Sequence, residues 1–175
     1  MQRIYLLSTG GTLEKVYSEQ RGVVENRAAK LDRYLCLLRL PDAEIRAESL
    51  MNKDSLEMTG ADRVQVRDRV AQLLADGAPI VLTHGTDTMV ETGLFLEQSF
   101  PALKVPVILT GAMTPLGFEG SDGLQNLTES LLAARLMAPG VYIVLHGQVF
   151  PVSKTRKDKD RATFVRTECN ICPEP

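Results

Sequence analysis

Residues 80–88 read IVLTHGTDT, an apolar run that gives way at once to a glycine flanked by hydroxyl, imidazole and carboxylate side chains. The apolar part predicts a buried strand, and Gly85 permits the tight turn that must follow it. The next helix should begin at residues 86–88, where free backbone N–H groups and the positive end of the helix dipole lie. Thr and Asp at these positions can be ordinary helix caps or part of a site.

Three more apolar runs predict the other strong strands of the same sheet. They are residues 4–7, 105–109 and 141–145. All the runs are continuously hydrophobic, which is typical of parallel strands covered on both faces. Helical periodicity lies between them, at residues 59–76, 87–99 and 122–137, and residues 26–50 favour a further helix followed by an extended segment from residue 43. This alternation predicts an α/β fold, a three-layer parallel sheet with helices on both faces.

Each of the four strong strands ends in a turn that contains glycine. The turns are STGGT at residues 8–12, THGTD at 83–87, TGAM at 110–113 and HG at 146–147. In a parallel sheet these turns lie side by side, and open α/β sheets bind ligands in the crevice beyond that edge. Polar residues gathered there from separate segments favour a site over independent helix caps.

The first turn is typical of a nucleophile rather than a phosphate loop, because it lacks the lysine and glycine spacing of the known phosphate motifs. Thr12 offers a hydroxyl, which is a weak nucleophile until a base takes its proton. Candidate bases are Asp87, Lys154 and Tyr17, and a partly desolvated lysine can act as one. Residues 14–25 have no clear periodicity and form either a lid or a plain surface loop.

Length and composition predict one soluble domain, residues 1–175, with a formal net charge of −2. That charge balance gives no reason to expect nucleic acid as a partner, and no apolar run is long enough to cross a bilayer. The N-terminus does not resemble a signal peptide, so we expect a cytoplasmic protein. Cys36 is predicted to be a buried small hydrophobe, and the pair Cys169 and Cys172 lacks the context of a zinc or redox site. The basic run 154–161 is predicted to be a solvated loop, because it contains aspartates and no aromatic platform.

These turns together resemble the bacterial-type L-asparaginase family. The motifs that carry the resemblance are STGGT at residues 8–12, DSLEMT at 54–59, HGTDTM at 84–89, TGAM at 110–113, and SDG at 121–123 followed by Asn126-Leu127. They come in the family's order and span nearly the whole chain. The resemblance implies a flavodoxin- or Rossmann-like N-terminal domain and hydrolysis of the side-chain amide of L-asparagine, with possible minor activity on glutamine.

The resemblance also assigns roles to single residues. It implies that Thr12 is the nucleophile, that Tyr17 assists it, and that Thr86 works with Lys154 and Asp87. The substrate-binding residues it implies are Gly11, Ser55, Thr86, Asp87 and Ala112, with backbone N–H groups of Gly11 and Thr86 as the oxyanion hole. It implies no metal and no cofactor.

The chain departs from the family in two respects. The smaller C-terminal domain, which supplies an acid to the site, has no counterpart in the sequence, and Leu56 replaces a glutamine that contacts substrate in many relatives. We therefore expect a short, single-domain L-asparaginase that forms a homo-oligomer, a dimer or a tetramer. The alternatives are a catalytically weak or silent amino-acid-binding module and a subunit of a larger amidotransferase.

Overall fold

The computed structural model describes residues 1–26 and 31–167. The strands are β1 (Gln2–Gly10), β2 (Lys15–Ser18), β3 (Val23–Asn26), β4 (Ala43–Lys53), β5 (Ile80–Thr83), β6 (Pro106–Thr110), β7 (Gly140–Leu145), β8 (Gln148–Pro151), β9 (Thr155–Asp158) and β10 (Thr163–Arg166). The helices are α1 (Leu31–Leu35), α2 (Gly60–Leu74), α3 (Met89–Ser99) and α4 (Gly123–Leu136), and three 3₁₀ turns span Thr12–Glu14, Ser55–Glu57 and Val152–Lys154. Within the described ranges no helix has both the length and the apolar character needed to span a membrane.

The central sheet has the strand order β4-β1-β5-β6-β7-β8. Its first five strands run parallel and β8 is antiparallel to β7. Numbered along the chain, the parallel strands lie in the order 2-1-3-4-5, as in flavodoxin-like sheets. The strand order reverses between β1 and β5, and such a switch point is where ligands bind in these folds. The predicted α/β sheet is confirmed. The extended segment expected from residue 43 forms its edge strand β4, and β8 is an addition at the other edge.

Both faces of the sheet centre are covered, which explains why its central strands β5 and β6 are buried along their whole length. Leu7 and Leu82 point into one hydrophobic cluster, together with residues of α2 and α3. Leu6 and Val81 point into a second cluster, which includes residues of α4. Each fully buried side chain of this size contributes roughly 1.5–3 kcal/mol relative to an exposed one.

Helix α2 begins and ends as its sequence predicts. Thr59 is the N-cap and forms a capping box with Asp62, in which each side chain accepts from the other's backbone N–H. Gly77 follows the helix with a φ of +65°, a left-handed conformation in which glycine carries no steric penalty. The two ends therefore fix the position of α2 before the β5 strand.

Three sequence-based expectations are corrected. The segment 14–25 is not an irregular loop, because β2 and β3 form an antiparallel hairpin in which Tyr17 pairs with Val24. The helix predicted after residue 26 is only the five-residue α1 in the described chain, and Cys36, which follows it, is exposed rather than buried. The pair Cys169 and Cys172 lies outside the described residues.

Candidate active site

The turns after β1 and β5 touch through their glycines at the switch point of the sheet. An ideal Cβ on Gly11, whose φ is +82°, would lie 2.4 Å from the backbone nitrogen of Gly85. A Cβ on Gly85 would in turn lie 2.5 Å from Ser55 Oγ, and one on Gly111 would lie 2.4 Å from the carbonyl oxygen of His84. No real Cβ fits at such distances, so the absence of side chains is what lets these segments meet. The predicted convergence is therefore present for the turns after β1, β5 and β6.

A lysine from the β9–β10 hairpin lies at this meeting point. Lys157 Nζ is 2.7 Å from Thr86 Oγ1 and 2.9 Å from Asp87 Oδ1. The Thr86 residue is buried, the Lys157 side chain is 16% exposed, and the Asp87 side chain is 34% exposed. An amine held between a hydroxyl and a carboxylate can exchange a proton with the hydroxyl while the carboxylate orients it.

The predicted lysine, Lys154, does not occupy this place. Its side chain is exposed at the end of the 3₁₀ turn Val152–Lys154. The basic run is not a solvated loop, because β9 pairs with β10 and turns alternate residues toward the domain. Thr155 is buried and Lys157 half-buried, whereas Arg156 between them is exposed. Lys154 falls just before this alternation begins, three residues before the lysine that reaches Thr86.

Thr12 and Tyr17 differ in how the structure places them. Thr12 is half-buried and opens the 3₁₀ turn directly after the Gly11–Gly85 contact. Tyr17 is 56% exposed, and a Cβ on Gly22 would lie 4.0 Å from its hydroxyl, so that hydroxyl lies over the turn of its own hairpin. The hairpin is joined to the neighbouring segment by an ion pair of 2.6 Å between Lys15 Nζ and Asp54 Oδ2.

Gly11 does not have the free donor predicted for an oxyanion hole. Its backbone N–H donates to the carbonyl oxygen of Lys53 at 2.9 Å. The bond joins the end of β1 to the end of β4, and it uses the hydrogen that an oxyanion would need. Gly11 contributes here through its lack of a side chain rather than through its N–H group.

Ser55 offers an unused hydroxyl at the same place. The residue is 1% exposed, and among the described residues its Oγ has no hydrogen-bond partner. Its backbone is fixed from both sides, because Asp54 accepts from the Leu56 N–H at 3.0 Å and the Ser55 carbonyl accepts from Thr88 Oγ1 at 2.9 Å. A buried hydroxyl without a partner costs free energy, which a polar ligand would offset.

Ala112 is fully buried, but its methyl group packs in the hydrophobic cluster on the α4 face. The turn it belongs to is held by Asn126, whose Nδ2 donates to the carbonyl oxygen of Gly111 at 3.0 Å. The side chain of Ala112 therefore contributes to the core beneath the turn rather than to a ligand surface.

Glu14, a buried carboxyl beneath the first turn, was not among the predicted site residues. Glu14 is 5% exposed, and its Oε1 accepts from Ser8 Oγ and, at 3.2 Å, from Thr83 Oγ1. Its Oε2 is buried with no partner in the part of the chain described. Burial raises the pKa of Glu14, and the hydrogen bonds from Ser8 and Thr83 offset part of that rise. No sequence signal marks it, because only the 3₁₀ turn directs it inward.

His84 is not available as a base. It is fully buried, with Nδ1 2.7 Å from the carbonyl oxygen of Gly85 and Nε2 2.8 Å from Thr92 Oγ1. Burial lowers the pKa of His84 to about 4, so the ring is neutral near pH 7, when Nδ1 donates and Nε2 accepts. The ring joins the β5 turn to α3. Within the described residues, no group of three or more His, Cys, Asp or Glu side chains could hold a metal ion.

Comparison with known proteins identifies the family of this fold and site. The family described as Asparaginase, N-terminal, matches residues 3–169. An L-asparaginase of Thermococcus kodakarensis is 28% identical over 155 residues, covering 89% of this chain and 47% of its own length. A glutamyl-tRNA(Gln) amidotransferase subunit of Methanococcus vannielii is 32% identical over 151 residues, covering 85% of this chain and 35% of its own.

A solved structure gives the same result. The thermostable L-asparaginase from Thermococcus kodakarensis superposes with a TM-score of 0.80 at 26% identity, over 94% of this chain and 51% of that one. The chain thus spans between about a third and a half of the length of these relatives. Because the family match covers nearly all of the sequence, the chain belongs to the asparaginase family, over that family's N-terminal domain.

Proposed function

We propose that this chain is an amidohydrolase that converts L-asparagine to L-aspartate and ammonia through a threonine nucleophile. The observation that supports it most is the Lys157 ammonium position, 2.7 Å from Thr86 Oγ1 and 2.9 Å from Asp87 Oδ1. This group lies beside the Gly11–Gly85 contact, which brings the turn carrying Thr12 to the same edge of the sheet.

In the proposed reaction the Thr12 hydroxyl attacks the side-chain amide carbon of asparagine. The Thr12 proton passes through the Thr86 hydroxyl to the amide nitrogen as the C–O bond forms, and the C–N bond then breaks and releases ammonia. Water attacks the acyl-enzyme, one of its protons passes to Thr12, and aspartate is released. Thr86, polarised by Lys157, exchanges protons in both steps, and the Thr86 backbone N–H is the proposed oxyanion donor.

The α-carboxylate and α-ammonium groups of the substrate would be held next to Thr86 and Lys157. The unused hydroxyl of Ser55 is the proposed donor to the α-carboxylate, and Asp87 the proposed partner of the α-ammonium group. Asp87 then meets two cations, the Lys157 ammonium and the substrate's own. A site that binds both the α-carboxylate and the α-ammonium group favours a zwitterionic amino acid over a neutral amide.

The test is ammonia release from L-asparagine and L-glutamine by the wild type and three variants. Thr12→Ala and Lys157→Met are expected to lose at least a hundred-fold in kcat, since each removes a group acting on the reacting atoms. Lys154→Met is the matched control, because it makes the same change at an exposed position near the same hairpin. Its activity should stay within twofold of the wild type.

Two results would overturn the proposal. A wild-type protein that releases no ammonia from either amide is not this enzyme. If Lys154→Met is as damaging as Lys157→Met, the geometry around Thr86 does not describe the working site.

A second function is favoured by one relative. The similarity to a glutamyl-tRNA(Gln) amidotransferase subunit suggests a chain that releases ammonia for a partner to use. Turnover of glutamine that rises strongly when a partner is added, with little activity alone, would support it. A silent amino-acid-binding module would instead bind asparagine in calorimetry without turnover by the wild type.

A further inference from the structure

The turns around α4 contain a hydrogen-bonded group that the proposed reaction does not use. The Asp122 carboxylate accepts from the backbone N–H groups of Met113, at 3.0 Å, and Thr114, at 2.9 Å. It also accepts from Asn126 Nδ2 at 2.8 Å and lies 2.8 Å from His146 Nε2. Four groups from three segments of the chain meet at one half-buried carboxylate, which makes its position well determined.

His146 continues this group toward the hairpin that carries Lys157. Its Nδ1 lies 2.9 Å from Thr163 Oγ1, in β10. With a hydrogen on Nε2 donated to Asp122, the neutral ring accepts at Nδ1 from the threonine hydroxyl. When the ring is protonated the hydroxyl accepts instead, so the contact with Thr163 persists in both states.

The backbone of His146 is itself held in an unfavourable conformation. Its φ is +54°, one of two positive values among the described residues that are not glycine. Its N–H donates to Asn126 Oδ1 at 3.0 Å, which fixes the conformation from the α4 side. A strained residue of this kind persists when its surroundings determine its geometry, and such residues cluster at functional sites.

The register of the hairpin connects this strained residue to the lysine. Thr163 pairs with Asp158, and Phe164, the next residue of β10, pairs with Lys157. Phe164 is 1% exposed and packs in the hydrophobic cluster on the α3 face. The position of β10 is therefore set by the buried ring of Phe164 and by the hydrogen bond of Thr163. Strand β9 is held in turn by its antiparallel pairing with β10.

We propose that His146, held by Asp122 and bonded to Thr163, is a positioning residue that sets the β9–β10 hairpin so that Lys157 meets Thr86 and Asp87. His146 does not touch the reacting groups and acts through the strand pair. The proposal rests on the proposed function for its kinetic readout only, since the placement of Lys157 can be measured without turnover.

The perturbation is Thr163→Val, which removes the hydroxyl and keeps the branched shape suited to a strand. Thr163→Ser restores a hydroxyl and serves as the rescue variant. The matched control is Thr128→Val, which removes a hydroxyl that bonds the carbonyl oxygen of Leu124 on the exposed side of α4. Each variant is compared with the wild type by urea unfolding, by kcat and KM for asparagine ammonia release, and by NMR of the lysine side chains.

Misplacing a catalytic group by about an ångström can cost a hundred-fold in rate. We therefore expect Thr163→Val to lower kcat by about ten- to a hundred-fold with KM within threefold, and Thr163→Ser to recover most of the loss. Thr128→Val should change neither constant. The two valine variants should unfold at similar urea concentrations, so a difference in stability would not account for a lower kcat in Thr163→Val. The Lys157 Nζ resonance should move toward that of the exposed Lys154 in Thr163→Val alone.

The outcomes separate the two proposals. An unchanged kcat with an unchanged Lys157 resonance in Thr163→Val would overturn the positioning role, even if the wild type is an active asparaginase. A wild type without turnover would overturn the proposed function. A shifted Lys157 resonance in Thr163→Val would still support the positioning role in that case. Failure of Thr163→Ser to recover a lost kcat would show that the hydroxyl is not the group that matters.

Discussion

The contact between Gly11 and Gly85 can be tested by adding one methyl group. Gly11→Ala places a Cβ 2.4 Å from the backbone nitrogen and 2.5 Å from the Cα of Gly85. Both are backbone atoms, which cannot rotate out of the contact as the end of a side chain can. The φ of +82° adds the cost of a left-handed alanine, roughly 1–2 kcal/mol. Overpacking adds about 1–3 kcal/mol, so the total loss is about 2–5 kcal/mol.

Gly77→Ala is the matched control for this variant. Gly77 has a φ of +65°, but nothing lies within 4 Å of the Cβ it would gain. It should therefore lose only the left-handed cost of roughly 1–2 kcal/mol. In a chain of this size, 1 kcal/mol shifts Tm by about 2–4 °C, so Gly11→Ala should melt about 4–20 °C lower and Gly77→Ala about 2–8 °C lower.

The assay is thermal unfolding monitored by circular dichroism, with ammonia release measured on samples of the same proteins. Gly11→Ala should lose activity even well below its melting temperature, because relief of the overlap must separate the turns that carry Thr12 and Thr86. Gly77→Ala, at the opposite end of β5, should keep it. Equal losses of stability in the two variants would refute the reasoning, since the close approach would then contribute nothing.

Two pH predictions follow from buried ionisable groups. Burial raises the pKa of Glu14 above 4.5. The folded protein therefore loses stability as pH rises from about 4.5 through the pKa of Glu14 in the folded state. Glu14→Gln should reduce the difference in urea unfolding between pH 5 and pH 8, whereas the exposed control Glu57→Gln should not. Burial lowers the pKa of His84 to about 4, so stability falls as pH drops from 6.5 toward 4 because the unfolded chain binds the proton first. His84→Gln should flatten that decline, and a decline equal to that of the wild type would mean that folded His84 is protonated normally.

The fold could be predicted from sequence because each strong strand is a continuous apolar run that ends at a glycine. Such a run has few alternatives once helices of the right period lie on either side. The same logic predicts that the turns lie together, since turns at the carboxyl ends of parallel strands must share an edge. Thr86 and Asp87 lie in that edge because the strand and turn that hold them are adjacent in sequence.

Lys157 could not be placed in the same way. Its distance from Thr86 depends on the hairpin register, and a one-residue change of register turns every side chain to the other face. The basic run offers lysines or arginines at several neighbouring positions, and charge alone does not distinguish them. Glu14 was missed for a related reason, because the 3₁₀ turn that points it inward has no sequence signal of its own.

The position of Lys157 on a separate two-stranded sheet has a consequence for the stability of the site. The lysine and its partner Thr86 are 71 residues apart, and β9 and β10 pair only with each other among the described strands. Segments of this kind can open as a unit at a lower free energy than the whole protein. Hydrogen exchange in the hairpin should then be faster than in β5 and β6, and that local opening sets how much of the time the Lys157–Thr86 pair is assembled.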